Sequence, residues 1–267
     1  MKMKNIKNQY IFLALAVVIT AGIIISSTLT HKSASKNIAT NQSTSNELNS
    51  KSSAATSNTF NKTTHSLSDP SSIWLVVNKT RQLNPKIYIP NDLVVPNIPL
   101  RANITPTEKV VQKIMAGPLE TMVSAAKSQG INLNLQSGYR SYNFQLSLYD
   151  GYVMQAGQAE SDKQSARPGY SEHQTGLAAD LGGVSNPSCN VAQCFADTVE
   201  GKWLAENAYN YGFIIRYPAD KIAVTGYEYE PWHIRFIGTD LAQELHAKNI
   251  ETLEEFFGLP AAPNYKS

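Results

Sequence analysis

Two short stretches of this 267-residue chain bring together the side chains that metal-assisted hydrolysis needs. Ser171-Glu172-His173-Gln174-Thr175-Gly176-Leu177-Ala178-Ala179-Asp180 supplies an imidazole and then a carboxylate in small, partly apolar surroundings. Glu230-Pro231-Trp232-His233 supplies a second of each. Two His and one Asp can hold a zinc ion while leaving a coordination position open for water. Glu230 is then the carboxylate left over, beside a ligand, where it can take a proton from that water. The chain has no His-Glu-x-x-His, so the helical metalloprotease pattern does not apply.

Each residue also has an ordinary reading. Asp180 sits among Gly, Ala and Leu, and a carboxylate there is costly to bury unless it is paired or bound to a cation. A buried salt bridge would satisfy it equally. His173 taken alone is a loop histidine. Glu230 and His233 taken alone are a surface acid and a core-satisfied imidazole. Together, on a tight turn stiffened by Pro231 and walled by Trp232, they can face one point. Arg140 follows a strand end in Ser137-Gly138-Tyr139-Arg140-Ser141, where Gly138 permits a tight turn. Its guanidinium is suited to bidentate capture of a carboxylate, and a structural ion pair is the alternative. Gln145 can add an amide contact.

The elements that must position these groups are legible as patterns. Thr105-Pro106-Thr107-Glu108 is a capping-type helix start. Val110, Val111, Ile114, Met115, Leu119, Met122, Val123 and Ala126 then recur at helical spacing up to Gly130. Residues 131–135 alternate as a half-buried strand that delivers the Arg140 turn. A second helix is expected over about 141–156, with Phe144, Leu148, Tyr152 and Met154 on its apolar side. Residues 157–170 read as loop. Residues 177–181 read as a strand with Asp180 opposite Leu177, Ala179 and Leu181. Helix is expected at 201–211, strand at 213–217, extended chain at 227–230 and 234–237 around His233, and short helices at 241–248 and 250–257. Residues 73–77 and 87–89 look extended. Without a regular βαβ repeat, this mixture is α+β: a single compact domain with a central, mostly antiparallel sheet and flanking helices.

Outside that domain, residues 1–31 carry Lys2, Lys4 and Lys7 ahead of an uncharged apolar run over 10–30. That run is close to the about 20 residues a spanning helix requires. It reads as a membrane anchor with the domain outside, or as a cleaved signal sequence. Residues 32–72, rich in Ser, Thr, Asn and Lys, read as a disordered linker. The domain is placed at 73–260 and a tail at 261–267. A net charge of +2 is too mild to argue for nucleic acid. Nothing in the pattern asks for obligate assembly, so a monomer is expected. Cys189 and Cys194 are the only cysteines, and outside the cytoplasm they are expected to form a local disulfide. As a thiolate pair for a metal they would lack further Cys partners.

The Arg140 turn with Gln145, the His173–Asp180 stretch and the Glu230–His233 turn, in that order, resemble the VanY-type D-alanyl-D-alanine carboxypeptidases. These are zinc peptidases of bacterial cell walls, related to LD-carboxypeptidases and to vancomycin-resistance dipeptidases. The resemblance covers about residues 75–260 and includes Phe195-Ala196-Asp197-Thr198 and Gly201-Lys202-Trp203-Leu204. It implies a small α+β domain holding one Zn²⁺ on His173, Asp180 and His233. It implies Glu230 as catalytic base, and Arg140, helped by Gln145 and Ser171, as the group that binds the peptide's C-terminal carboxylate. The implied substrates are peptidoglycan stem peptides or their precursors, cut at a D-Ala-D-Ala or L-diamino acid-D-Ala bond. An endopeptidase and a non-catalytic wall-binding module on the same fold are the alternatives.

Overall fold

The computed structural model describes residues 59–266. The expected leader at 1–31 and the linker up to residue 58 lie outside the described residues. Among the described residues no helix is long and apolar enough to cross a membrane.

The chain enters through turns and forms a short antiparallel ladder between β1 (Leu93–Val94) and β2 (Val111–Gln112). Helix α1 (Lys113–Ser128) follows. The helix expected from Thr105 begins later because the backbone of 108–112 is engaged elsewhere. Gly138 and Tyr139 donate to the carbonyls of Glu108 and Val110, and the Gln112 amide donates to Gly176. Thr105 still closes its turn, accepting from the Glu108 amide. Gln112 provides no side-chain cap. A missing cap costs about 1 kcal/mol, whereas each fully buried Leu or Met stabilises by about 1.5–3 kcal/mol. Met115, Leu119 and Met122 are all fully buried along α1, so packing decides the helix.

Next come β3 (Leu133–Ser137), α2 (Tyr142–Ala156), α3 (Gln158–Gln164), β4 (Ala178–Gly183), α4 (Val199–Asn207), β5 (Phe213–Ile215), α5 (Ile222–Thr225), β6 (His233–Phe236), α6 (Thr239–Ala247) and α7 (Leu253–Phe257). The four longer-range strands form one sheet in the order β3-β4-β6-β5, antiparallel at every junction. This is the α+β architecture expected from the sequence. Strand β4 is buried on both faces. Alternation puts Ala179 and Leu181 into the main core with α1, Leu133, Leu135, Phe213 and Phe236. Asp180 and Gly182 take the other face.

Several local expectations are corrected. Residues 73–77 and 87–89 form no strand; Trp74 instead donates its indole N–H to the Ile237 carbonyl. With Val76 it packs against Leu241, Leu245, Leu253 and Phe256 in a second core. Residues 158–164, read as loop, form α3, a polar helix set off from α2 by Gly157 at φ 78°. Its sequence carries no apolar stripe from which to infer a helix. On α2 the apolar residues do not face the core. Gln145 and Tyr149 are the buried positions, Met154 is 84% exposed, and Phe144, Leu148 and Tyr152 line a cavity instead.

The boundaries at 73 and 260 are also corrected. Phe60 stacks on Trp74 at a 5.6 Å centroid distance and meets Phe256 edge-on. At the other end Ala262 is fully buried, and the Tyr265 ring lies 4.1 Å from the Arg167 guanidinium carbon. Composition hides both segments because one aromatic among Ser, Thr and Asn leaves little pattern. Phe60→Ala is expected to lower unfolding free energy by about 1–3 kcal/mol, since its ring is only partly buried. Urea denaturation measures this, and an unchanged midpoint would place 59–72 outside the cooperative unit.

Candidate metal centre

His173 lies in the 3-10 turn Glu172–Thr175, which ends at Gly176 in the left-handed region with φ 69°. A Cβ at Gly176 would meet Leu93 at 2.9 Å, so the tight ending requires glycine. The His173 Nδ1 lies 2.6 Å from the Gly138 carbonyl, which can only accept. The proton therefore sits on Nδ1, and the Nε2 lone pair faces inward.

Asp180 and His233 are direct cross-strand partners between β4 and β6. Asp180 Oδ1 lies 3.3 Å from His173 Nε2 and 3.1 Å from His233 Nδ1. One donor atom from each of these three residues falls within 4.8 Å of the others, and all three side chains are buried. The tight turn that closes with the His233 amide donating to the Glu230 carbonyl sets Glu230 Oε2 3.5 Å from His233 Nδ1. Burial pushes the Glu230 carboxyl up to about 7, with the negative charges of Asp180 and Glu172 adding to the effect.

Arg140 closes the other side. Its Nη2 contacts Asp180 Oδ2 and lies 2.9 Å from His173 Nε2. Its Nε donates to Ser137 Oγ at 2.9 Å. Gln145 is 1% exposed; its carboxamide oxygen accepts from Arg140 at 3.5 Å and its NH₂ donates to the Ala166 carbonyl at 2.8 Å. Gln145 thus braces the guanidinium and the 165–166 loop. Ser171, Arg140, Gln145, His173, Asp180, Glu230 and His233 all line one cavity of about 530 Å³. Cys189 and Cys194 are joined by a disulfide, and Val191, Ala192 and Gln193 between them line the same cavity.

Sequence reasoning gave no role to the charges behind the histidines. Glu172 is fully buried, with Oε1 accepting from Arg216 at 2.9 Å and Arg235 at 2.8 Å. Arg216 in turn forks onto Glu254 of α7 at 2.8 and 3.0 Å. Burial opposes ionisation of Glu172, but the two guanidinium charges outweigh it and hold its carboxyl far below the usual range. Its other oxygen lies 3.6 Å from His233 Nε2, and both atoms are buried without a hydrogen-bond partner among the described residues. The signal was available: Arg216 and Arg235 interrupt the apolar and aromatic runs 213–217 and 234–237, as Asp180 interrupts its strand.

These facts test whether a cation fits. An ionised Glu172 3.6 Å behind Nε2 favours the neutral tautomer with its proton there, which leaves Nδ1 to face Asp180 as a donor when a cation takes the place of the second proton. Two imidazole lone pairs then converge on a carboxylate, a set that matches zinc in donor type and number. Burial lowers proton affinity at His233, yet Asp180, Glu172 and Glu230 override it and raise the group to about 9. The carboxylates that attract a proton there attract a metal cation equally. At His173, burial and the Arg140 charge act together and keep the ring neutral.

Comparison with known proteins agrees with this chemistry. The family model described as VanY: D-alanyl-D-alanine carboxypeptidase matches residues 108–239. The putative carboxypeptidase YodJ of Bacillus subtilis (strain 168) is 42% identical over 191 residues, which are 72% of this chain and 69% of that protein. Among solved structures, that of the LdcB LD-carboxypeptidase superposes with a TM-score of 0.66 at 42% identity, covering 71% of this chain and 87% of that one. A vancomycin-resistance D,D-pentapeptidase VanY variant in complex with Zn(II) gives 0.57 at 28% identity, covering 68% and 97%. The matched stretch contains every residue of the candidate metal centre and the arginine beside it, and the chain belongs to the VanY family of D-alanyl-D-alanine carboxypeptidases.

Proposed function

We propose that this domain is a zinc carboxypeptidase that removes the C-terminal D-alanine from peptidoglycan stem peptides or their precursors. The observation that carries the reading is one cavity in which three buried metal donors, a spare carboxylate and a guanidinium converge. His173 Nε2, the Asp180 carboxylate and His233 Nδ1 would hold one zinc ion. When bound, zinc supplies Lewis acidity toward water and toward the scissile carbonyl.

The chain's own residues do the rest. Glu230, ionised, accepts the proton of the attacking water and returns it to the departing amine. Burial makes Glu230 a stronger base than a solvated carboxylate. Arg140 pairs with the free carboxylate of the last residue and fixes the cut at the terminal bond. Gln145 holds that guanidinium in place, Ser171 contributes a hydroxyl to the same wall, and Trp232 and Tyr217 limit water. An arginine beside the centre suits an exopeptidase, since an endopeptidase meets no free carboxylate there. Family membership supports the substrate class, and the disulfide supports an extracytoplasmic setting. The leader at 1–31 would attach the domain to the cell membrane.

Glu230→Gln is expected to bind zinc as the parent does and to lose about 10²–10⁴-fold in kcat on D-alanine release. Near-parental turnover would remove Glu230 as the base. Arg140→Ala should lose about 100-fold in kcat/KM on a peptide with a free C-terminus and far less on its C-terminal amide, because the lost contact is a charge-assisted pair. Equal losses on the two peptides would end the carboxylate assignment. Glu172→Gln leaves two buried guanidinium groups short of charge. It should destabilise the fold by about 3–5 kcal/mol and weaken zinc binding about 10–100-fold, as read by denaturation and by competition with a chromogenic chelator.

A further inference from the structure

We propose that Tyr265, in the C-terminal tail, is a positioning residue for Arg140: its hydroxyl holds the 165–167 segment that braces the guanidinium through Gln145. The inference rests on the carboxypeptidase reading above, in which Arg140 receives the free carboxylate of the substrate. Tyr265 lies beyond residues 108–239, the stretch that the family model matches.

Helix α2 has two buried side chains, Gln145 and Tyr149, one turn apart, and both bond to α3 or to the segment that follows it. The Gln145 carboxamide donates to Ser165 Oγ at 3.2 Å and to the Ala166 carbonyl at 2.8 Å. The Tyr149 hydroxyl donates to Asp162 Oδ1 at 2.7 Å, and the Arg167 guanidinium forks onto Asp162 at 3.0 and 2.8 Å. The apolar residues Phe144, Leu148 and Tyr152 of α2 face the cavity rather than the core. The place of Gln145, and so of its oxygen against Arg140, is therefore only as fixed as residues 162–167.

Tyr265 fixes that segment. Its hydroxyl accepts from the Arg167 amide at 2.8 Å, one residue on from the carbonyl that holds Gln145. Its ring covers the Arg167 guanidinium at 4.1 Å and meets Tyr170 edge-on at 5.0 Å. The tail that carries Tyr265 is fastened elsewhere, by other groups. The Ala262 amide donates to the Val224 carbonyl at 2.8 Å. Gly226 has φ 85°, and a Cβ there would collide with the Ala262 carbonyl oxygen, so the tail lies directly on this turn. Lys79, buried, donates to the carbonyls of Gly226 and, at 3.3 Å, Pro263. Tyr227, also buried and three residues before Glu230, shares a hydrogen bond of 3.1 Å with the Tyr265 hydroxyl. One phenol oxygen thus joins the turn at 224–227 to the segment that braces Arg140. Without that oxygen the tail stays seated, but the part-buried Arg167 amide loses its partner. Leaving such a donor unpaired is costly, so the backbone that bears it shifts toward another acceptor and takes the Ala166 carbonyl with it.

The test measures kcat and KM on a stem peptide ending in D-Ala-D-Ala or L-Lys-D-Ala, whichever the parent cleaves faster, and on the C-terminal amide of the same peptide. It uses the parent, Tyr265→Phe, Gln145→Ala and the double variant, at a temperature where circular dichroism shows all four folded. Phenylalanine keeps the ring on Arg167 and against Tyr170 and removes only the hydroxyl. Tyr265→Phe should raise KM on the free acid about fivefold, the worth of one neutral hydrogen bond, with kcat and the kinetics on the amide unchanged. In the Gln145→Ala background the same change should cost less than about twofold, because the relay to Arg140 is already cut. Unchanged free-acid kinetics in Tyr265→Phe, an equal loss on acid and amide, or the full loss repeated on top of Gln145→Ala would each overturn the role of Tyr265 and leave the carboxypeptidase reading standing. A parent that releases D-alanine from neither stem peptide would overturn that reading and this inference with it.

Discussion

A single ionised carboxylate, Glu172, shared by two buried arginines, is what the rest of this site depends on. It sits beside His173 in sequence, behind His233 in space, and accepts from Arg216, just past β5, and from Arg235 on β6. Buried ion pairs are a poor source of net stability, because the desolvation of each charge rivals the attraction between them. Their value here is geometric. The turn bearing one imidazole and the strand bearing the other are locked to a common anion; that anion faces Nε2 of His233, and the Gly138 carbonyl fixes the nitrogen that His173 presents.

The hydrophobic layers explain why the anion can be so deep. Ala179 and Leu181 commit one face of β4 to the core, which leaves Asp180 no alternative to the opposite face. There the partner strand sets His233 directly across. The apolar stripe of α2, turned into the cavity rather than the core, gives a polar centre one greasy wall.

Much of the centre was legible in the sequence because its residues violate their surroundings. An aspartate in an Ala-Leu strand and a Glu-Pro-Trp-His turn are hard to explain as solvated surface. The supporting charges were less visible. Glu172 reads as part of a polar turn, and Arg216 falls within the strand expected at 213–217, since single-sequence patterns do not reveal that Glu254 arrives from a distant helix. Periodicity failed in a second way on α2, where Phe144 and Leu148 have the spacing of core residues but face a cavity. It failed on α3, whose polar sequence has no stripe to detect. The edges of the domain were misplaced because Phe60 and Tyr265 act as isolated anchors within polar tracts.

The distance along the chain between Glu172 and Glu254 bears on biosynthesis. Arg216 cannot be neutralised on both sides until α7 has emerged and docked. During vectorial synthesis or export, the earlier strands can collapse against α1 well before that moment, but the charge relay behind His233 stays open. Until α7 docks, Arg216 has Glu172 as its one carboxylate partner among these two, and the buried positive charge behind His233 stays unbalanced.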